Sequence, residues 1–344
     1  MKNGLLSGRR ILITGGTGSL GQALVRKILS GEVGQPEKVI VFSRDEEKQH
    51  NMRLEIQKKT VATDEVIYEQ SAQILEFMIG DVRSYDSLVH AVKKADLVIF
   101  ASALKQVPTC EYFPYEAVLT NTLGAQNLVR AIERHGRHVD CVIGISTDKA
   151  CKPVNVMGMT KALQERVLLS ANLHIQSTRF ICVRYGNVIA SRGSVIPLFL
   201  RQIATAQPLT VTAPEMTRFL ISLEQAVNAV LAAIEVCREG ETFVPRLPSA
   251  RILDIAEVLR GERNLPIIFT GVRPGEKIHE ILISEEEAFR TVALENSFII
   301  QPILPELRGA RAGFHTLDKE YSSAEGLVDK GTIKPILVQA GIPC

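Results

Sequence analysis

Short apolar, β-branched runs alternate with longer amphipathic stretches through the first half of the chain. The apolar runs fall at residues 10–14, 38–42, 74–79, 97–101, 139–146 and 179–185. Each is short and apolar nearly throughout, the pattern of a strand buried on both faces. Between them a helical period appears at 19–29, 85–93, 116–133 and 156–170. Strict alternation of the two predicts an α/β fold: a doubly wound parallel sheet covered by helices, with right-handed crossovers. Residues 58–71 are polar and aperiodic, so an extended loop is expected there. Past about residue 185 the alternation loosens and prolines gather (Pro197, Pro208, Pro214, Pro245, Pro248), while helical patterns persist at 223–237 and 252–259. The expected division is a sheet domain over 1–190 and a smaller lobe over 191–344, with some C-terminal segments returning to the sheet. No internal repeat or long linker separates them.

Composition narrows the class. In 344 residues, 46% are hydrophobic and 23% charged, as in an ordinary packed protein with a sizeable core. Forty basic against 38 acidic residues leave a net charge of +2, which provides no field for nucleic acid or an anionic membrane. The opening residues contain no continuous apolar run before the first glycines, so no signal peptide is expected. No 18-residue apolar span predicts a membrane crossing. Six scattered cysteines without a C-x-x-C pair suit free thiols in a reducing cytoplasm, the expected location. His135 and His138 flank a glycine at a predicted helix end, and no metal site is expected.

The first strand runs into Gly15, Gly18 and Gly21, spaced G-x-x-G-x-x-G at the entry to a helix, with Thr17, Ser19 and Leu20 between them. A tight turn, close backbone approach and a helix N-terminus together suit a dinucleotide pyrophosphate. The second strand ends at Ser43-Arg44, where an NAD site usually offers a carboxylate. A hydroxyl followed by a guanidinium suits a 2′-phosphate, so NADP is the expected cofactor. Asp45 lies one position too late for the NAD carboxylate. Asp81 and Val82, after the third strand, are placed to meet the adenine. Ala101 and Ala103, after the fourth, are placed to line the cofactor.

The fifth strand leads into Thr147-Asp148-Lys149, then Pro153, Asn155, Met157, Gly158 and Lys161. Thr147, position 157 and Lys161 reproduce the Ser/Thr…Tyr-x-x-x-Lys frame of short-chain dehydrogenases, with 157 and 161 on one helix face. This segment is similar to the UDP-N-acetylglucosamine 4,6-dehydratases of polysaccharide biosynthesis, extended members of that fold family. The likeness continues at residues 104–108, 120–124, 183–188, 215–219 and 273–277, leaving only the last 35 or so unfamiliar. It departs at Met157, where the family frame has tyrosine, though some members resemble this chain in carrying methionine. It departs again at Gln106, where histidine is usual.

The resemblance implies a Rossmann domain over 1–190, a substrate-binding lobe over 191–344, and a lyase that dehydrates UDP-N-acetylglucosamine, inverting C5, for surface polysaccharide or glycan precursors. It implies Lys149 as C5 base, Asp148 as C6 acid, Thr147 as the partner of the 4-oxygen, and Lys161 on the nicotinamide ribose. With no tyrosine at 157, Lys161 and Asp148 are candidates to relay the first proton. For these roles burial is expected to raise Asp148 and lower Lys149 against their mutual attraction. Arg218 and Arg273 resemble a diphosphate clamp, Asn187 a pyrophosphate contact, and Glu276 a carboxylate near the uridine ribose. Lys105 is expected to reach cofactor and hexose, and Val195 joins the substrate contacts. A homo-oligomer (dimer or hexamer) is expected, with 116–133 and 156–170 as the dimer face. The alternatives are a UDP-sugar 4-epimerase or reductase, and a catalytically silent NADP-binding regulator.

Overall fold

The computed structural model describes residues 4–61, 74–189, 194–309 and 316–343. The first half supplies strands β1 Arg10–Thr14, β2 Lys38–Ser43, β3 Leu75–Ile79, β4 Leu97–Phe100, β5 Cys141–Ile145 and β6 Arg179–Val183. The second half supplies β7 Leu209–Val211, β8 Thr217–Phe219, β9 Thr242–Pro245, β10 Ser249–Arg251 and β11 Ile267–Phe269. It continues with β12 Ile281–Ile283, β13 Thr291–Ala293, β14 Ser297–Ile300 and β15 Tyr321–Ser322. One sheet runs in the order β13-β14-β9-β6-β5-β4-β1-β2-β3. Its strands are parallel from β3 to β9, and β14 and β13 close the edge antiparallel. Strand order reverses between β1 and β4, the place where an open α/β sheet leaves a crevice for a ligand. This is a Rossmann-type doubly wound sheet with a smaller C-terminal lobe.

Side chains alternate across each central strand and so feed two cores. Ile11, Ile13, Val39, Val41, Leu97 and Ile99 pack with Leu24 and Ile28 of helix Ser19–Leu29 and Val230 and Ile234 of helix Leu223–Val236. Leu12, Ile40, Phe42, Val98 and Phe100 face the other way, towards helices Tyr85–Val92 and Gly124–His135. Each such buried side chain stabilises the fold by roughly 1.5–3 kcal/mol, so both layers hold the strand ends in place. A third cluster builds the lobe from helices Val195–Ala204, Ile252–Arg260 and Lys330–Gln339, through Phe199, Ile255, Leu259, Ile333 and Leu337. The last of these helices accounts for part of the segment that resembled nothing.

A buried ionic cluster joins the halves. Arg184 donates to both oxygens of Glu165 (3.0 and 2.7 Å) and to both of Glu287 (2.7 and 3.0 Å). Burial would raise the Glu287 carboxyl, but the Arg184 guanidinium holds it down at about 2.

Two expectations change. The helix expected over 116–133 is Pro114–Ala117, a π-helical stretch Val118–Leu123, and an α-helix Gly124–His135. A π turn inserts an extra residue and re-aims its side chains. Here the Asn121 carboxamide accepts from the Leu104 backbone N–H (2.8 Å) and donates to the Leu104 carbonyl and the Thr160 hydroxyl (3.0 Å each). Of the loop expected over 58–71, residues 58–61 continue helix Glu46–Val61, 62–71 lie outside the described residues.

Candidate active site

The carboxyl ends of the central strands open into a cleft of about 1670 Å³ between sheet and lobe. Every site residue singled out from the sequence lines it except Asp148, which lies behind the wall and is fully buried. A second cavity of about 290 Å³, walled by Arg184, Glu287 and Leu304 among others, holds none of them.

At the β1 end, Gly15 turns with φ +66°, a conformation that disfavours any side chain, and a Cβ there would lie 3.0 Å from the Ala101 carbonyl. A Cβ on Gly21 would come within 2.5 Å of Gly16 Cα, so strand, turn and helix close tightly. The N-cap Gly18 supplies no side-chain cap to helix Ser19–Leu29. Its first-turn N–H groups therefore suit an anion, and the cradle fits a dinucleotide pyrophosphate. At the rim, the Ser43 hydroxyl accepts from the Gln49 amide (3.0 Å). The Arg44 guanidinium lies 3.7 Å from the Asp81 carboxylate, which also pairs with Arg83 at 2.7 Å. Val82 is buried beneath this rim, while Ala103 and Lys105 are exposed at the cleft.

At the end of β5 the Thr147 hydroxyl donates to Asp148 Oδ1 (2.8 Å) and caps a single 3₁₀ turn through Lys149 N–H. Lys149 Nζ donates to the same Asp148 oxygen (3.1 Å) and to Asn187 Oδ1 (3.0 Å), and pairs with Glu280 Oε1 at 3.2 Å. Asp148 Oδ2 has no hydrogen-bond partner. The turn packs directly under the next helix, because a Cβ on Gly158 would meet the Lys149 carbonyl at 2.2 Å. Burial draws the Lys149 amine down, yet Asp148 and Glu280 together raise it above its ordinary value. This corrects the expectation that burial would dominate there: two carboxylates outweigh the lost hydration.

Met157 and Lys161 follow on helix Val156–Ser170. Met157 packs with Cys110 and Ala117 in a small apolar floor, so the tyrosine position is filled by hydrocarbon and sulfur. Lys161 Nζ donates to the Ile145 carbonyl and to Gln164 Oε1 (2.7 Å). Burial pulls this amine down to about 8.

The opposite wall comes from the lobe. Arg218, on β8, gives three of its five N–H donors to the carbonyls of Thr217 (2.7 Å), Ile278 (3.0 Å) and Lys277 (2.9 Å), with Nε 3.7 Å from Glu280. It thereby holds the 273–280 segment, whose Arg273 is exposed and whose Glu276 has a buried Oε2 without a hydrogen-bond partner. The Asn155 amide donates to the Gly275 carbonyl (2.8 Å), and Lys277 Nζ donates to the Cys151 carbonyl (2.6 Å). These bonds stitch the lobe to the segment that follows β5. Val195 opens helix Val195–Ala204 at the cleft. Sequence reasoning missed Glu280, a buried carboxylate on Lys149. Its only signal was its place three residues past Lys277.

The family profile described as "Polysaccharide biosynthesis protein" matches residues 11–302. A Rickettsia bellii protein named UDP-glucose 4-epimerase is 44% identical over 297 residues, 85% of this chain and 82% of its own. The structure of Pen from Bacillus thuringiensis is 33% identical, with a TM-score of 0.86 over 98% of this chain and 99% of that one. The dTDP-glucose 4,6-dehydratase DesIV from Streptomyces venezuelae shares the fold at 18% identity and TM-score 0.65, over 78% of this chain and 86% of its own. DesIV was solved with NAD, and other structural neighbours carry NAD or NADH. The expectation of NADP is overturned by these structures. The physical reason lies at the rim: a phosphate seated on Arg44 would meet the Asp81 carboxylate, and the Ser43 hydroxyl is already engaged by Gln49.

Proposed function

The chain belongs to the polysaccharide biosynthesis protein family, and on that premise we propose that it is an NAD-dependent UDP-N-acetylglucosamine 4,6-dehydratase. The observation that carries this reading is the Thr147–Asp148–Lys149 turn beside the dinucleotide cradle, its aspartate buried and its threonine and lysine at the cleft. Bound NAD would accept the C4 hydride and later return it at C6. The resulting 4-ketone acidifies the C5 proton.

Asp148 and Lys149 share the proton inventory that elimination needs. Moving one proton from the Lys149 ammonium to the Asp148 carboxylate leaves an amine and a carboxylic acid, side by side and net neutral. The amine removes the C5 proton, and the proton of the buried acid passes through the Thr147 hydroxyl, which lines the cleft, to the departing C6 hydroxyl, so water leaves. When the hydride returns to C6, Lys149 gives a proton back to C5, and the proton taken from the C4 hydroxyl restores the ammonium. Thr147 holds the 4-oxygen. Lys161 holds the nicotinamide ribose and, with an amine poised at about 8, takes the first proton from the C4 hydroxyl in place of the missing phenol. Asn187, Val195, Arg273 and Glu276 face the UDP, Lys105 faces the hexose, and Arg218 keeps their loop in position.

A second reading has its own support. The Rickettsia relatives are named 4-epimerases, and the same cleft would serve C4 oxidation followed by return of hydride to the other face. Met157 weighs against it, since such an enzyme usually relies on the tyrosine. Incubation with UDP-N-acetylglucosamine in D₂O separates the two. Dehydration loses one water and exchanges C5. An unchanged mass with inverted C4 establishes the epimerase, and no turnover at all overturns both.

Helix Val156–Ser170 leaves Met159 and Leu163 about half exposed, one turn apart, and Leu123 is exposed on the π-helical stretch beside it. We assign this face to a second copy of the chain, testable by sedimentation of a Leu163→Glu variant. No helix among the described residues is long and apolar enough to cross a membrane.

A further inference from the structure

Glu280 precedes β12 and has no part in the roles above, yet its placement is tightly determined. Its N–H donates to the Ser323 hydroxyl (2.9 Å) and its carbonyl accepts from the Ser323 N–H (2.8 Å), so the backbone is pinned from both sides. The residue is 2% exposed. One oxygen reaches Lys149 Nζ at 3.2 Å and Arg218 Nε at 3.7 Å, and the other is buried with no hydrogen-bond partner.

An ammonium has three N–H donors. Lys149 gives two of them to Asp148 Oδ1 and Asn187 Oδ1 and forms an ion pair with Glu280 Oε1. A base needs a free lone pair, so this resting geometry, with two carboxylates at the amine, is that of the conjugate acid. We propose that Glu280 is a positioning residue for the elimination: it anchors the Lys149 amine beside Asp148 and, by its charge, keeps on that pair the one proton the two groups share.

This rests on the reading of Lys149 as the C5 base. Around that amine stand Asp148 on its own turn, Asn187 after β6, Arg218 on β8, and Lys277 and Glu280 on the 273–280 segment. Asp148 takes part in the reaction, Asn187 is neutral, and Arg218 and Lys277 push the amine towards losing its proton. Glu280 is therefore the one charge outside the acid–base pair, among the described groups, that favours the ammonium. The raised position of Lys149 agrees with that balance.

The test compares wild type with Glu280→Gln, Glu280→Asp and Glu280→Ala. Glutamine keeps the shape and an acceptor while removing the charge. It should move the alkaline limb of the pH profile for dehydration down by about one pH unit. The aspartate variant should keep the limb near its original place. The alanine variant, without the anchor, should lose about tenfold in kcat with KM for the UDP-sugar unchanged. Labelling of Lys149 by acetic anhydride across pH, read by peptide mass spectrometry, reports the same titration without turnover. If wild type turns over while both curves coincide with those of Glu280→Gln, the positioning role is wrong. If wild type forms no dehydrated product but the labelling curve shifts, the charge effect stands and the dehydratase reading fails.

Discussion

Lys149 and Lys161 lie at the same end of β5 and both are withdrawn from water, yet they are held in opposite ways. Lys149 meets two carboxylates and is raised above its ordinary value. Lys161 meets two neutral oxygens, from Ile145 and Gln164, and falls to about 8. Loss of hydration opposes the ammonium at both sites. The two carboxylates in direct contact with Lys149, and none with Lys161, decide the sign. One turn of chain and one helix thus present two amines of different character to one cleft. The first is a loaded acid that can pass a proton to its neighbour, and the second loses its proton within reach of neutral pH.

The largest test of this contrast is Lys149→Met. It should lower C5 deuterium exchange by about 10³-fold while calorimetric NAD binding stays within about twofold. Residual exchange near the wild-type rate would remove Lys149 from the base role. Next, Lys161→Met should slow C4 oxidation by about 10²-fold, read as single-turnover NADH absorbance, and only weaken dinucleotide binding. Full oxidation in that variant would assign the first proton elsewhere.

Lys161 also gives a stability prediction whose sign follows from linkage. Its folded value of about 8 lies below the ordinary 10.5, so between those values the unfolded chain binds more protons. Wild-type stability should therefore gain a contribution as pH rises from about 8 to about 10.5. Below about 8 the cost of the buried ammonium is constant. Lys161→Met removes that cost, so in dinucleotide-free protein its Tm should exceed wild type by a few degrees at pH 7, with the gap closing towards pH 10.5. A lower Tm at pH 7 would mean that the lost hydrogen bonds outweigh the relieved charge.

The smallest effect is expected at Met157→Tyr, because the apolar floor with Cys110 and Ala117 leaves the extra volume nowhere to pack without strain. Dehydration should change by no more than about threefold. A tenfold rise would show that the phenol, not Lys161, is the better acceptor of the C4 proton.

Much of the site was legible because its parts are local. The G-x-x-G-x-x-G turn, the Thr147-Asp148-Lys149 triplet and the pair at 157 and 161 each sit within one strand end or one helix face, and the structure gathers all but the buried Asp148 along one cleft. The π-helical stretch was not legible: an apolar period over 116–133 reads as plain helix, and only the Asn121 carboxamide reaching Leu104 and Thr160 explains the extra residue in the turn. The second task of Arg218 was not legible either: it lines the cleft, and three of its five N–H donors also hold backbone carbonyls of its own lobe.

The sequence by itself determined the alternation of buried strands with amphipathic helices, the turn that admits a pyrophosphate, and the order of the chemical groups along β5 and the helix after it. These follow from periodicity and backbone sterics, which act between near neighbours in the chain. Tertiary structure alone decided that Asp81 stands beside Arg44, that Glu280 reaches Lys149, and that Lys161 finds only neutral oxygens. Cofactor preference and the state of each amine depend on charge and lost hydration, which follow distance in space and depth of burial rather than separation along the chain.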